Sequence, residues 1–319
     1  MTSLPADTQT AAEPGLLPAR RRRLTWARVG RAAVPYLLLL PVLAAIGAVL
    51  GYPVGYLINL SFQRYGLAEL IQHSGEYIGF HNYYLVLHDQ VFWDALERTI
   101  VFTAANVGLT MGLGTLFALL LVRVSTWVRI PLTAGLVLVW SMPVVVAVQV
   151  WYWMTNFENG VLNQILGLGQ HDWYASTTSS LGMVTALIVW GALPFVVITL
   201  YAGLAQVPHE LVEAAEIDGA RPWRVFKDVT FPILKPIFLV LTSLSIIWDF
   251  GVFTQPYLLI GREHQYPSNY VMGVYVYIKA YSENDYGQGA AASLLMLLIV
   301  AVLSFFYVRK MVRMGTEAA

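Results

Sequence analysis

The sequence predicts an all-α, polytopic membrane protein with six transmembrane helices. Three observations carry that prediction. Charged residues make up 12% of the 319-residue chain and hydrophobic residues 57%, whereas a soluble domain carries about 25% charged residues. Apolar runs of about 20 residues or more recur, long enough to cross a hydrocarbon core of about 30 Å. The Lys and Arg residues are sorted to alternate sides of those runs, as the positive-inside rule requires. There is no cysteine, which excludes disulfides, thiolate metal sites and a cysteine nucleophile.

Residues 1–32 read as a tail. Its first 19 residues are rich in Pro, Ala and Thr, a composition that favours disorder, and Arg20, Arg21, Arg22, Arg23, Arg28 and Arg31 follow. The next apolar run is too long for a signal-peptide core of about 7–15 residues and predicts an uncleaved first span. The spans are expected at 33–60, 99–122, 130–154, 181–205, 234–260 and 288–310. The membrane domain then covers 33–311, and 312–319 forms a second tail.

The first span contains Pro35, Pro41 and Pro53 with Gly47, Gly51 and Gly55. On the second, Gly108, Gly112 and Gly114 are expected to form a small-residue face for close helix packing. Pro143 and Pro194 are expected to break the third and fourth spans near their middles, leaving backbone groups for neighbours or cavity water. In the fifth, Asp249 stands about mid-span, with Gly251 permitting a local break. A carboxylate at that depth costs several kcal/mol unless it faces a cavity or finds a partner. It reads equally as a pathway-lining, hydroxyl-binding group and as an interhelical hydrogen-bonding group. Gln149, Asn106 and Asn59 are weaker versions of the same case.

A cytoplasmic N-terminus puts 15 basic residues inside, from Arg20 to Arg313, against four outside, Arg64, Arg98, Arg262 and Lys279. Both termini and the 206–233 loop are then cytoplasmic. The outer loops, 61–98 and 151–180, are rich in Tyr, Phe and Trp. Most of these fit an interfacial aromatic belt, and some could receive an external partner. Trp140, Trp190 and Trp248 lie inside their spans, where belt residues do not. With Tyr257, Gln149 and Asp249 they are the substrate-pathway candidates, although helix packing is the commoner role for each aromatic.

Enzymatic signatures are missing. None of the four lysines follows a glycine, so there is no Walker A motif, and neither His-Glu-x-x-His nor Gly-x-Ser-x-Gly occurs. His73, His81, His88, His171 and His264 do not share a helical face with carboxylates at ligand spacing. No catalytic residue, metal site or resident cofactor is expected.

The 206–233 loop is unusually ordered for a connection between spans. Pro208 opens a short helix that ends at Gly219, and Pro222 opens another; Pro suits the first helical position and Gly the position just past the end. Leu211, Ala214, Ala215 and Asp218 fall on one face at i, i+3, i+4 and i+7. The alanines admit a partner surface closely. Glu210 and Glu213 lie near the helix start, where negative charge is favoured. Trp223 and Phe226 are large apolar side chains for a solvated loop and are expected to anchor it.

Glu213-Ala214-Ala215, Gly219 three residues later, and Val229-Thr230-Phe231-Pro232 nine residues beyond resemble the EAA motif of bacterial ABC importer permeases, with Val and Phe where Ile and Leu are usual. Tyr77-Ile78-Gly79-Phe80-His81-Asn82-Tyr83-Tyr84 with Phe92-Trp93, and Trp140-Ser141-Met142-Pro143 with Gly160-Val161-Leu162-Asn163, are similar to the MalF-like branch of carbohydrate permeases. The resemblance covers nearly all of the chain after about residue 30. It implies a type I ABC importer permease fold in a bacterial or archaeal cytoplasmic membrane, with 208–232 as coupling helices. It also implies a second permease, a cytoplasmic ATPase dimer that binds the ATP and Mg²⁺, and an external solute-binding protein. A sugar or oligosaccharide is the implied solute. A permease for another polar solute, or an ion-coupled carrier with inverted repeats, remains the alternative.

Overall fold

The computed structural model describes residues 38–261 and 264–317. The expected tail 1–32 with its arginines, Pro35 and Arg262 lie outside these residues. Contacts divide the chain into 1–55 and 56–319. The described part of the first unit belongs to an apolar helix, Leu38–Ser61. It contains a wide π turn, Gly47–Gly51, just ahead of Pro53, whose ring and missing amide disturb regular helical bonding.

The second unit holds four more helices long and apolar enough to cross a membrane: Gln90–Arg123, Thr177–Leu204, Pro222–Phe250 and Tyr286–Lys310. A bent pair, Thr126–Ser141 and Val144–Met154, makes a sixth span if the two count as one. The last helix continues to Glu317, into the segment expected as a tail.

Several boundaries differ from those read in the sequence, each for a local reason. The second span begins at Gln90 rather than 99 because Asp89 caps it, its Oδ1 accepting from the Val91 amide at 2.9 Å. The third span is two helices bent by 103°. Pro143 sits at φ −59°, ψ 134°, and Met142 before it is pushed to extended backbone at φ −72°, ψ 129°, as a residue preceding proline usually is. Pro194, by contrast, does not break the fourth span, which is continuous from Thr177 to Leu204. Pro194 is buried, and this span packs against the second, third and fifth, so its surroundings hold the helix together through the proline. The fifth span ends at Phe250, and after a turn at Gly251 a separate helix runs over Thr254–Ile260.

The expected glycine face on the second span is also divided. A Cβ on Gly114 would lie 2.5 Å from Cγ1 of Val196, so the second and fourth spans meet at a distance only glycine permits. Gly108 and Gly112 have open space beside them. At about 100° per residue, position 114 points away from 108 and 112.

Two apolar clusters form the core. The outer one includes Phe92, Phe102, Leu187, Phe250, Leu259 and Tyr275. The inner one includes Met111, Leu121, Val196, Leu200 and Leu241. Beside the outer cluster a polar latch joins the start of the second span to the segment before the sixth. Asp89 Oδ2 accepts from the Tyr275 hydroxyl at 2.9 Å and pairs with Lys279 Nζ at 3.2 Å, which also reaches Glu283 at 3.0 Å. Burial pushes the Asp89 carboxyl up, but the Tyr275 and Val91 hydrogen bonds and the Lys279 charge outweigh it and hold the group below the usual carboxylate range.

The Asp89 contribution to stability is therefore fully present above the unfolded value of about 3.9 and is lost as pH falls through the lower folded value. Asp89→Asn should cost about 2 kcal/mol, measured as a lower Tm of the detergent-solubilised protein near neutral pH. The deficit should shrink when Lys279→Met is added, because the ammonium that has lost one of its two carboxylate partners is then gone.

Candidate functional site

The residues singled out for docking form a helical hairpin. Its first helix is His209–Ile217, with Glu210 in the first turn. The chain then reverses through Asp218, Gly219 and Ala220. The Gly219 amide donates to the Glu216 carbonyl at 3.0 Å and the Ala220 amide to the Ala215 carbonyl at 3.0 Å. This pair of bonds is a Schellman motif, which places Gly219 at the left-handed position; its φ is +77°. Pro222 stands at the first position of the next helix.

That second helix does not stop. It passes through one π turn, Phe226–Thr230, into the fifth span and forms a single 29-residue helix, Pro222–Phe250, about 43 Å long at about 1.5 Å per residue. The sequence reads as two short helices followed by a separate span from about residue 234. The structure makes the second short helix and the span one body, with Pro232 and Pro236 within it. A line of rings follows it inward, with centroids 5.8 Å apart for Trp223 and Phe226, 6.1 Å for Phe226 and Phe231, and 5.1 Å for Phe231 and Phe238.

On the hairpin surface Leu211, Glu213, Ala214, Asp218 and Gly219 are exposed and Ala215 is half-buried. Trp223, expected as an anchor, is 72% exposed. The anchoring falls to Val225, which is buried, and to the half-buried Phe226. Ile217, 86% exposed, was not singled out in the sequence; an isoleucine beside an acidic turn was the available signal. Leu211, Ile217 and Trp223 thus present apolar surface among Glu213, Glu216 and Asp218. The hairpin's base is fixed by small contacts. A Cβ on Gly203 would lie 2.6 Å from Ile237 Cδ1, and Arg129 donates to the Tyr201 hydroxyl at 2.8 Å.

The pathway candidates fall into three places. Trp140 stacks on Phe195 at 6.0 Å, and Phe195 lies 5.8 Å from Trp248, so the third, fourth and fifth spans share one aromatic row. Phe195 was the member missed, because a lone apolar ring inside a span looks like packing. Trp190 meets Trp151 at 6.1 Å. Tyr257 stands apart, in a tyrosine group after the fifth span, and Gln149 is exposed without a hydrogen bond among the described residues. Asn59 is partnered by the Tyr77 hydroxyl.

Between the two apolar clusters runs a buried polar seam. On the second span Thr103, Asn106 and Thr110 lie between Phe102 of the outer cluster and Leu121 of the inner one. Asn106 is fully buried, and among the described residues neither of its side-chain polar atoms nor the Thr103 and Thr110 hydroxyls has a partner. On the fifth span Ser245 and Asp249 are buried between Leu241 of the inner cluster and Phe250 of the outer one. No hydrogen bond or ion pair reaches the Asp249 carboxylate among the described residues. Unpaired polar groups at this depth are costly, and they line up where the apolar packing is interrupted. Among the described residues, no group of three His, Asp or Glu could hold a metal ion.

Residues 108–312 match the family described as binding-protein-dependent transport system inner membrane component. The chain is 43% identical over 311 residues to the diacetylchitobiose uptake system permease protein of Streptomyces coelicolor, covering 96% of this chain and 94% of that protein. It is 32% identical over 285 residues to the trehalose transport system permease protein of Mycobacterium tuberculosis, covering 89% and 91%. The fold resembles a chain of a bacterial ABC transporter involved in the import of the acidic polysaccharide alginate, at a TM-score of 0.74 and 20% identity over 90% of this chain and 98% of that one.

Because the positive φ at Gly219 costs a residue with a Cβ about 1–2 kcal/mol while no atom blocks that Cβ, substitutions there should act locally. Gly219→Val should raise amide exchange across 215–222 by roughly tenfold and leave the Tm of the bundle within error. Gly219→Asn, which tolerates the left-handed region, should exchange like the wild type.

Proposed function

The chain belongs to the family of binding-protein-dependent transport system inner membrane components, and within that family we propose that it is the permease subunit of an ATP-driven importer of a sugar or oligosaccharide. Its relatives' names carry the substrate class: diacetylchitobiose and trehalose are both neutral disaccharides. The polar groups inside the spans agree with a neutral solute. Away from the ends of the spans they are amides, hydroxyls, indoles and the Asp249 carboxylate, with no cation among them to receive an anionic group.

The observation that carries the mechanism is the unbroken Pro222–Phe250 helix. A partner seated on His209–Ile217 and Trp223 grips one end of a rod whose other end holds Asp249 at the polar seam and Trp248 in the aromatic row. A helix transmits displacement with little bending, so movement at the hairpin becomes movement at the seam. The partner is a cytoplasmic ATPase dimer, which binds ATP and Mg²⁺ and supplies the stroke; this chain needs no nucleotide site of its own. Leu211, Glu213, Ala214, Ala215, Asp218, Gly219, Trp223, Phe226 and Pro232 are the coupling residues. Trp140, Gln149, Trp190, Trp248 and Asp249 line the path of the solute. A second, homologous permease completes that path, and an external binding protein delivers the sugar. Both termini and the hairpin face the cytoplasm, as the distribution of Lys and Arg favours.

Gly219→Asp tests the docking role. A Cβ at this position meets no atom within 4 Å and Asp tolerates left-handed backbone, so the bundle should fold at wild-type Tm. Uptake of labelled disaccharides by the reconstituted complex should nevertheless fall below about 5% of wild type, and a crosslink from Ala215→Cys to the ATPase should disappear with it. Wild-type uptake in the Gly219→Asp complex refutes the docking role.

A further inference from the structure

Beyond the fifth span lies a second aromatic site that the transport mechanism above does not use. Phe253, Tyr257, Tyr277 and Tyr281 form a ladder of rings. Phe253 and Tyr257 stack at 5.0 Å and 23°, Tyr257 meets Tyr277 at 4.7 Å, and Tyr277 stacks on Tyr281 at 5.2 Å and 25°. Tyr286 continues the row 6.2 Å beyond Tyr281. The ladder opens on a cavity of about 440 Å³ lined by Tyr257, Gln265, Tyr277, Ile278, Tyr281 and Ser282. The Gln265 side-chain amide donates at 3.2 Å to the carbonyls of both Pro256 and Tyr257. Its orientation is thereby fixed, and its Oε1 is left buried without a partner.

We infer that this cup is a saccharide-binding subsite, in which a pyranose ring packs on the exposed Tyr281 ring and a sugar hydroxyl donates to Gln265 Oε1. This rests on the sugar-importer reading and adds to it a place on this chain where the sugar is held. Three features select the ligand class. The exposed Tyr281 ring offers an apolar face beside a hydroxyl, which suits a ligand with one C–H face and polar edges. No charged side chain is among the described lining residues, and the neighbouring Lys279 ammonium is occupied by Asp89 and Glu283, so the described residues offer an anionic headgroup no free counter-charge. The rings stack on one another instead of enclosing a centre, which disfavours a quaternary ammonium cage. The unsatisfied carbonyl oxygen calls for a donor, and a sugar hydroxyl supplies one.

Tyr281 is 64% exposed, so its replacement leaves the core untouched. The test uses the assembled transporter in lipid nanodiscs without its binding protein. Saturation-transfer NMR follows maltose, trehalose and N,N′-diacetylchitobiose, with choline as the cationic control. At least one disaccharide should bind through its ring protons. Tyr281→Ala and Gln265→Leu should each weaken it about tenfold, or about 1.4 kcal/mol, while Tyr281→Phe keeps the wild-type affinity. Equal affinity in wild type, Tyr281→Ala and Gln265→Leu overturns the subsite, as does binding of choline in place of the sugars. Uptake by the same variants separates the two readings. If the wild type imports a disaccharide while the cup variants bind it unchanged, the subsite alone fails. If the wild type imports none of them but loses saccharide binding on Tyr281→Ala, the cup stands and the sugar-importer reading fails. If the variants instead need more binding protein for the same uptake rate, the cup docks that protein and is not a sugar site.

Discussion

Inside hydrocarbon every backbone amide and carbonyl must find its partner within the protein, and most of this structure follows from that requirement. It makes the spans helical, and it also decides where they can be interrupted. The third span breaks at Met142 and Pro143, where proline removes a donor and forces extended backbone on the residue before it. The fifth ends at Phe250, followed by Gly251 and a separate helix. The same chemistry at Pro194 produces no break, because that helix is packed against three others.

Apolar packing is continuous only in two clusters, and the polar seam lies between them. Asn106, Thr103 and Thr110 on the second span and Ser245 and Asp249 on the fifth are placed where the clusters part. A purely structural bundle gains nothing from buried amides and hydroxyls without partners. A bundle that must part along one plane benefits from polar groups there, since they find water or solute when it opens. The aromatic row of Trp140, Phe195 and Trp248 crosses the third, fourth and fifth spans, which gives those helices a shared surface.

The hairpin and the fifth span should be considered as one mechanical element. Two hydrogen bonds at a positive-φ glycine fold the hairpin's first helix back, and from Pro222 the chain then runs as helix to Phe250. Close contacts of Gly203 with the fifth span, and of Arg129 with Tyr201, brace its base. The exposed apolar tip at Leu211, Ile217 and Trp223 is therefore joined to Phe250 through continuous helix from Pro222.

The sequence by itself determined that the chain is helical and membrane-spanning and that 208–232 is a capped helical hairpin. Those features depend on local properties: run length, charge, Pro at a helix start and Gly at its end. The EAA spacing was legible for the same reason, being a pattern of residues close together in the chain. Other features depended on what packs against what. Pro143 and Pro194 are alike in sequence, yet only the burial of one among three helices kept its helix whole. The division of Gly108, Gly112 and Gly114, the continuity of the docking helix with the fifth span, and the meeting of Phe195 with two tryptophans were likewise settled by neighbours distant in sequence. So was the assembly of Tyr257, Gln265, Tyr277 and Tyr281 around one cavity, because a side chain's partner across a bundle is fixed by packing and leaves no mark in the order of residues.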